Sequence, residues 1–388
     1  MSTGAAVMTG PGVGAIATIG LCGTSAPTVL AKVFRLAKQA DVEFRTGRIL
    51  LGHLVDGAHT IDQVTIGCEA PERFAIHCHG NPLIVEAIMK LLQRHGVEVL
   101  PPEQLHARVC AAEEGTTSLE IEARLALTTV KTVAGARLVA NQTAEGVGQW
   151  CRKWQTEPMS LDRIKEEVAH IQRASEIARR IISGCTIVLI GPPNTGKSTL
   201  LNTLAGREKA IVTDIEGTTR DWISAEIHMA PLAATVIDTA GLAGDLAGGI
   251  DQAAQARSVE MLQRADLVLL VLDASRPDHR IEPGLLNGLS DKKTLVVLNK
   301  TDLSERLDTT LLPPQSSHPV RISAQQNTGI DTLIETVHLT LGVTDFDPHT
   351  PVAFTDRQRD LLAQFGTVSS PTAANTVIAE LLEGAISV

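Results

Sequence analysis

The chain has 388 residues and a formal net charge of −10 at neutral pH. This length predicts about two to three domains, and the negative charge argues against bulk electrostatic attraction to nucleic acid or to an anionic membrane. The six cysteines are scattered without C-x-x-C spacing, so no disulfide framework is expected and a reducing, cytoplasmic compartment is favoured. The first twenty residues contain no Lys or Arg and do not form a signal-peptide pattern, and no apolar run reaches the roughly eighteen residues of a membrane span.

Residues 1–105 alternate short strand patterns with one helical pattern, which predicts a small α+β domain. Strands are expected at 14–19, 49–55, 63–66 and 74–79, a hairpin through Asp56 and Gly57, and a helix over 82–95. His77 and His79 are two residues apart and therefore share one strand face. They are either an ordinary pair on the sheet or two ligands of a metal ion, although no third ligand cluster accompanies them.

Helical periodicity dominates residues 106–183, which predicts a helical domain. Helices are expected over 128–142 and from an N-cap at Ser160 to residue 181, with Gly184 ending the second. Two further helical patterns follow at 356–365 and 373–382. Residues 344–388 are too few for a core of their own, so they are expected to complete the helical domain.

Residues 184–343 carry the pattern of a doubly wound α/β sheet. Apolar runs typical of strands buried on both faces occur at 186–190, 236–237, 267–272, 295–298 and 320–322, and helical stretches separate most of them. A proline-rich loop is expected at 311–319. Ligand-binding residues should then follow the carboxyl ends of the strands.

A phosphate-binding loop is predicted at residues 191–198, GPPNTGKS, which match G-x-x-x-x-G-K-[ST] between a strand and a helix. Its glycines let backbone N–H groups turn toward an anion, Lys197 would neutralise the β- and γ-phosphates, and Ser198 would bind Mg²⁺. The alternative, a glycine-rich turn with a surface lysine, is disfavoured by the complete pattern in this context. The predicted phosphate-site residues are Gly191, Asn194, Thr195, Gly196, Lys197, Ser198 and Thr199.

Three further motifs each follow a predicted strand. Asp238-Thr239-Ala240-Gly241 supplies a carboxylate near Mg²⁺ and a glycine N–H for the γ-phosphate. In Asn299-Lys300-Thr301-Asp302, the Asp302 carboxylate would accept the N1–H and 2-amino hydrogens of guanine, whereas adenine would leave it unpaired. Ser323-Ala324 would offer a backbone N–H to guanine O6. Together, in this order, the motifs predict GTP as the ligand.

With these motifs the chain resembles translation-factor-class GTPases, and residues 204–221, LAGREKAIVTDIEGTTRD, together with Asn194 are similar to the MnmE (TrmE) family of tRNA modification GTPases. The resemblance implies that Ser198 and Thr219 bind Mg²⁺ and that K⁺ binds beside the phosphates, where it plays the part of an arginine finger. It also implies activation by nucleotide-dependent pairing of G domains within a homodimer. The K⁺-binding segment would comprise Thr213, Asp214, Ile215, Glu216, Gly217 and Thr218, with Asn194, Thr213, Ile215 and Thr218 as ligands.

The residue that orients the attacking water differs from that of Ras-like enzymes. Leu242 follows the Asp238–Gly241 motif where Ras-like enzymes have a glutamine. The family uses a glutamate further along, and Asp251 stands in its place, with a shorter reach. The resemblance therefore gives Lys197, Thr219 and Asp251 as catalytic residues, while Asp251 as an ordinary acid at a helix N-terminus is the alternative.

The family resemblance extends more thinly over the rest of the chain, at residues 12–17 and 76–80. It implies an α/β multidomain fold: a folate-binding-like α+β domain at 1–105, a helical domain beginning at 106–183, a P-loop GTPase domain at 184–343 inserted in it, and final helices at 344–388. The chain departs from the family at Gly20 and in segments 71–73, 100–119 and 384–388. These are positions that the family uses for formyl-tetrahydrofolate and the modification chemistry.

Three functions are compatible with these patterns. The first is an MnmE-like GTPase of tRNA wobble-uridine modification, with tRNA and an FAD-dependent, MnmG-like partner. The second is a diverged paralogue that acts as a GTP-dependent binding switch without modification activity. The third, a ribosome-assembly GTPase, is weaker because neither a KH module nor a basic tail is present.

Overall fold

The computed structural model describes residues 2–10, 12, 14–37, 43–113, 115–157, 160–207, 223–238, 261–277, 292–308 and 319–384. The chain divides into two compact units, one within residues 1–125 and the other within residues 126–384. Within the described ranges, each helix is too short or too polar to cross a lipid bilayer.

Among its described residues, the first unit has a seven-stranded sheet and four helices, the last of which extends just beyond residue 125. Its strand order is β3-β4-β5-β6-β2-β1-β7, and neighbouring strands run antiparallel except β1 and β7. The strands are β1 (Gly4–Val7), β2 (Ile16–Cys22), β3 (Phe34–Leu36), β4 (Ile49–Asp56), β5 (His59–Ala70), β6 (Arg73–His79) and β7 (Glu98–Val99). The helices are α1 (Ala26–Val33), α2 (Pro82–Arg94), α3 (Pro102–Ala111) and α4 (Ser118–Leu127).

Alternation of buried and exposed residues explains how this sheet packs. In β6 the side chains of Phe74, Ile76 and Cys78 are buried, while the residues between them face away from the core. Residues of α1 and α2 pack against the same face and complete the core. The predicted strands and the predicted hairpin are present, with Gly57 at φ 61° in the turn. The predicted helix over 82–95 is also present as α2, whose first turn is capped by the Asn81 side chain.

Helices form the flanks of the second unit. They are α5 (Val133–Ala144), α6 (Gly146–Thr156), α7 (Leu161–Ser183), α10 (Asp356–Gln364) and α11 (Pro371–Glu383). The two helices between α7 and α10, α8 (Lys197–Arg207) and α9 (Ile330–Leu341), pack against the sheet described below. The final helices pack against the earlier ones, α11 against α6 and α10 against α7. The buried Gln142 side chain connects these parts, because it donates to the Thr350 carbonyl and accepts from the Val352 N–H, both at 3.0 Å.

The predicted helix over 128–142 is wrong at its start. Helix α5 begins at Val133, after the Thr132 side chain accepts a hydrogen bond from the Gly135 N–H at 2.9 Å. Three of the five residues before that cap, Thr128, Thr129 and Val130, are β-branched and disfavour helix. Ser160 occupies the N-cap position of α7 as predicted, although its side chain makes no capping bond, and Gly184 ends the helix at φ 83°.

A six-stranded sheet forms the centre of the second unit, with strand order β13-β12-β11-β8-β10-β9. All neighbouring strands are parallel except β9, which runs antiparallel to β10. This confirms the predicted doubly wound α/β sheet. Its elements are β8 (Cys185–Ile190), α8 (Lys197–Arg207), β9 (Ile223–Met229), β10 (Leu232–Asp238), β11 (Leu267–Asp273), β12 (Thr294–Asn299), β13 (Val320–Arg321) and α9 (Ile330–Leu341).

Strand order places a crevice at the end of β8. The chain continues from β8 to β9 and β10 on one side of the sheet, and then crosses to β11, β12 and β13 on the other. Ligands of doubly wound folds bind at such a reversal, outside the carboxyl ends of the strands. The loop after β8 is the predicted phosphate-binding loop. The predicted loop over 311–319 lies almost wholly outside the described residues.

Candidate nucleotide-binding site

The loop between β8 and α8 has a backbone that only glycine tolerates at two positions. Gly191 has φ 143° and Gly196 has φ 91°. A Cβ atom at Gly191 would lie 2.1 Å from the Val271 carbonyl oxygen, and one at Gly196 would lie 2.3 Å from Asn299 Nδ2. Both neighbours are held by the sheet, so any side chain here would push the loop away from β11 and β12.

Lys197 and Ser198 begin α8 and lie beside the carboxyl end of β10. The buried Lys197 ammonium donates to the carbonyls of Gly191 and Pro192 at 2.9 and 3.0 Å. Burial lowers the pKa of Lys197, and the charge of Asp238 opposes that shift. Ser198 Oγ donates to Asp238 Oδ2 at 2.5 Å. A hydroxyl and a carboxylate in contact at a helix N-terminus form a pair of hard oxygen donors, the type that Mg²⁺ prefers.

Asn299 holds two loops of the site together. It is buried at the end of β12, and its Nδ2 donates to the Thr195 carbonyl at 2.8 Å. Its Oδ1 accepts the Ala324 N–H at 3.0 Å. Thr203 of α8 adds a bond to the Ala324 carbonyl at 2.8 Å. The phosphate loop and the loop after β13 are therefore fixed to one another by side chains.

Asp302 lies beside the loop after β13. The buried Ser323 hydroxyl donates to Asp302 Oδ1 at 2.6 Å. Asp302 itself is exposed. Of the predicted site residues, the structure brings Gly191, Asn194, Thr195, Gly196, Lys197, Ser198, Asp238, Asn299, Lys300, Asp302, Ser323 and Ala324 to this edge of the sheet, and Thr199 is exposed in the first turn of α8.

Asp273 belongs to the same edge and was not predicted. It is the last residue of β11, buried, with its Oδ2 2.7 Å from Lys300 Nζ. Burial alone would raise the pKa of Asp273, but hydrogen bonds from Lys300 and Ser275 outweigh it and hold the pKa below its usual range. The sequence signal was present, since a run of six apolar residues ends in a carboxylate where strand ends meet.

The remaining predicted site residues lie outside the described part of the chain. They are Thr213, Asp214, Ile215, Glu216, Gly217, Thr218, Thr219, Thr239, Ala240, Gly241 and Asp251.

His77 and His79 of the first unit have separate partners. His77 Nδ1 lies 3.0 Å from the Thr18 hydroxyl, and His79 Nδ1 lies 2.7 Å from Asp62 Oδ1. Across the described ranges, no group of three His, Cys, Asp or Glu residues is arranged to hold a metal ion.

A cavity of about 750 Å³ opens in the first unit. Its described lining includes four glycines and several apolar side chains, and Glu86 is the one charged residue among the described lining residues. Glu86 forms an ion pair with Lys90, one helical turn further along α2. The described lining residues are Val7, Thr9, Gly10, Gly12, Gly14, Ile16, Ala17, Gly80, Pro82, Val85, Glu86, Met89, Val99, Leu100 and Pro102.

The chain is similar to known proteins along most of its length. The sequence profile of the 50S ribosome-binding GTPases matches residues 186–300, and the profile of the GTP-binding protein TrmE N-terminus matches residues 3–116. The tRNA modification GTPase MnmE of Streptococcus sanguinis is 32% identical over 86% of this chain and 80% of its own length. The MnmE protein of Lacticaseibacillus paracasei is 29% identical over 93% of this chain and 86% of its own. Among solved structures, the G domain of the T. maritima FeoB iron transporter is 26% identical over 40% of this chain and 98% of that one, with a TM-score of 0.31.

The strand order, the phosphate loop and the guanine-type Asn299–Asp302 motif define a P-loop GTPase. With the match to relatives along most of its length, the chain belongs to the MnmE family of tRNA modification GTPases. The resemblance seen in the sequence is thereby confirmed. The two alternatives, a GTP-dependent binding switch without modification activity and a ribosome-assembly GTPase, are not favoured by these matches.

Proposed function

We propose that the carboxyl edge of the six-stranded sheet is the GTP site of this GTPase. The observation that carries the proposal is the Asn299 side chain, which bonds both the Thr195 carbonyl and the Ala324 N–H. Asn299 thereby sets the distance between the phosphate loop and the loop after β13, which would bind the base. Asp302 then selects guanine, because its carboxylate matches two N–H donors that adenine does not present together.

Lys197 stabilises phosphate charge in this proposal. Its ammonium is buried among loop carbonyls, so it is close to the phosphates without reorganising a water shell. Ser198, with Thr219, would hold Mg²⁺, and Asp238 would support it. Mg²⁺, when bound, neutralises charge on the β- and γ-phosphates. The contact between Ser198 and Asp238 fits this ion, since both groups are hard oxygen donors.

Asp251 is proposed to orient the attacking water. An Asp251→Ala variant should then lose at least about tenfold in kcat for GTP with little change in KM, because the carboxylate acts on the chemical step. Single-turnover hydrolysis measures this directly. Equal rates in the variant and the wild type would leave Asp251 as an acid at a helix N-terminus.

K⁺ is proposed to bind beside the phosphates, with Asn194 as one ligand. Support comes from the position of Asn194 in the phosphate loop, with a left-handed backbone at φ 64° that Asn tolerates well. The test compares GTP turnover in KCl and NaCl for the wild type, Asn194→Ala and Asn202→Ala. Asn202 is exposed on α8 and serves as the control. Turnover that is the same in both salts for the wild type would end the K⁺ proposal.

The chain is further proposed to act as a homodimer whose G domains pair across the nucleotide. The support is the family assignment and the exposed position of Asn194 at the open edge of the sheet. Light scattering with GDP and with a non-hydrolysable GTP analogue tests the pairing. A mass or shape that is unchanged between the two nucleotides would contradict it.

We infer that the pathway served is tRNA wobble-uridine modification, together with tRNA and an FAD-dependent partner, in the cytoplasm. The support is the name of the relatives, which are tRNA modification GTPases. Expression of the chain in a strain that lacks MnmE should restore wobble-modified nucleosides, measured by mass spectrometry of digested tRNA. A Lys197→Ala chain is the control and should restore none. Absence of the nucleosides with the wild-type chain would remove this role.

Folate does not fit the described lining of the cavity in the first unit. A folate carries a glutamate tail with two carboxylates, and the charged residue of the lining is itself an acid, Glu86. We therefore derive no step through formyl-tetrahydrofolate.

The proposed division of the chain is 1–105, 106–183, 184–343 and 344–388, with the G domain inserted in the helical domain.

A further inference from the structure

Three residues joined by two hydrogen bonds cross the proposed GTP site. Asp273 Oδ2 lies 2.7 Å from Lys300 Nζ, and the same ammonium donates to the Asn194 carbonyl at 2.6 Å. Asp273 ends β11, Lys300 follows β12, and Asn194 lies in the phosphate loop. One buried carboxylate is thus connected through one lysine to the loop that would hold the phosphates.

Asp273 is held in place from its own side. Its Oδ1 accepts from the Ser275 N–H at 3.0 Å and from the Ser275 hydroxyl at 2.6 Å. Arg276 approaches Oδ2 at 3.6 Å but is largely exposed, whereas the Asp273 side chain is 3% exposed. The closest cation is therefore Lys300, and a charged hydrogen bond in this buried position is stronger than one in water.

Lys300 and the residue that it bonds, Asn194, share an uncommon backbone conformation. Asn194 has φ 64° and Lys300 has φ 66°, both in the left-handed region that side chains disfavour. Residues persist in this region when their surroundings over-determine them, often at ligand sites. The Lys300 ammonium joins these two residues, because it donates a hydrogen bond to the Asn194 carbonyl.

We propose that Asp273 is a positioning residue for GTP binding. Its carboxylate holds the Lys300 ammonium on the Asn194 carbonyl, so that the phosphate loop and the Asn299–Asp302 loop keep one relative arrangement. A nucleotide in the proposed site would touch both loops. Without the carboxylate, part of the binding free energy is spent on ordering the loops, which weakens affinity.

The test uses the full chain and measures the Kd for GDP by fluorescence titration, together with KM and kcat for GTP. Asp273→Asn keeps an acceptor for Ser275 but removes the charge that holds Lys300. We expect its Kd for GDP and its KM for GTP to rise about tenfold or more, with a smaller change in kcat.

Asp266→Asn is the matched control. Asp266 precedes the other end of β11, is largely buried with its side chain 11% exposed, and binds Arg179 and the Thr186 N–H at 2.6 and 2.9 Å. Its loss should lower thermal stability and leave the Kd for GDP within about twofold of the wild type. A rise in Kd as large as that of Asp273→Asn would overturn the inference, because the effect would then follow from any buried carboxylate.

A double variant separates positioning from simple support of the fold. If Asp273 acts through Lys300, adding Asp273→Asn to Lys300→Met should raise the Kd for GDP little further. Independent, additive losses would overturn the inference, as would a wild-type Kd in Asp273→Asn. The inference rests on the proposed GTP site: a wild-type chain that does not bind GDP would overturn both, whereas wild-type binding by Asp273→Asn overturns the inference alone.

Discussion

The two sheets of this protein bury their residues in opposite ways. The described strands β8, β11 and β12 of the parallel sheet are almost wholly buried, and all seven residues of β11 are inaccessible. Strands β5 and β6 of the antiparallel sheet instead alternate buried and partly exposed residues. Parallel sheets are covered on both faces, whereas antiparallel sheets can leave one face to solvent.

This difference decides where polar chemistry can lie. In the parallel sheet, side chains such as Asp238, Asp273 and Asn299 appear at the strand ends, and the interiors of β11 and β12 are apolar. In the antiparallel sheet, polar residues such as Thr18, His77 and His79 are spread along the strands. We therefore expect substitutions at the edge of the parallel sheet to change binding, and substitutions within the core of the antiparallel sheet to change stability.

The largest expected effect is on stability of the first unit. Phe74→Ala removes a ring that is 1% exposed and packs at 5.3 Å between ring centroids against Phe44. We expect a loss of about 3–5 kcal/mol in the free energy of unfolding, measured with urea, and an unchanged Kd for GDP. Leu51→Ala, on the open face at 50% exposure, is the control and should cost no more than about 0.5 kcal/mol. A weakened Kd for GDP in Phe74→Ala would break the comparison.

An intermediate effect is expected on the choice of base. Asp302→Asn replaces one of two acceptors with a donor, which opposes the two N–H donors of guanine and suits the 2-oxygen of xanthine. The ratio of Kd values for GDP and xanthosine diphosphate should shift about tenfold or more toward xanthosine, with the midpoint of thermal unfolding unchanged. Glu305 forms an ion pair with Arg321 in the same region, so Glu305→Gln is the control. It should leave the ratio of the two Kd values at its wild-type value. A ratio unchanged in Asp302→Asn would exclude Asp302 from base recognition.

The smallest expected effect is a pH dependence of stability. Burial lowers the pKa of His338 on α9, although its hydrogen bond to the Met229 carbonyl opposes the shift. The unfolded chain then binds this proton more readily than the folded one, so the free energy of unfolding should fall as pH drops below about 6.5. Urea titrations at several pH values should show a shallower fall for His338→Gln. His59→Gln, in the exposed hairpin of the other sheet, should match the wild type, and identical slopes in all three would contradict the assignment.

Much of the fold followed from the sequence because its patterns are local. Apolar runs predicted β8, β11 and β12, Asp56 and Gly57 predicted the hairpin turn, and the glycine pattern predicted the phosphate loop. The start of α5 was missed because the apolar spacing continues through a β-branched run, and Thr132 then caps the helix through a bond to Gly135. Capping depends on backbone geometry, which spacing alone does not reveal.

The role of Asp273 was missed for a different reason. A single carboxylate after an apolar run has no motif of its own, and its partner Lys300 is 27 residues away. Only the parallel pairing of β11 with β12, in which Asp273 lies opposite Asn299, brings it beside Lys300. The spacing of residues along the sequence does not predict contacts that depend on which strands pair. It does predict contacts within one loop.

GTP hydrolysis by the purified full chain and by Lys197→Ala, in KCl with Mg²⁺, tests the central claim most directly. Lys197 is buried and bonds the carbonyls of Gly191 and Pro192, so its loss should lower the midpoint of thermal unfolding, and both proteins are assayed well below the midpoint of the variant. Turnover should fall by about a hundredfold to a thousandfold, because a buried cation aimed at phosphate charge is removed. Equal turnover in the two proteins would contradict the account, since GTP would then be hydrolysed elsewhere than at the edge of the parallel sheet.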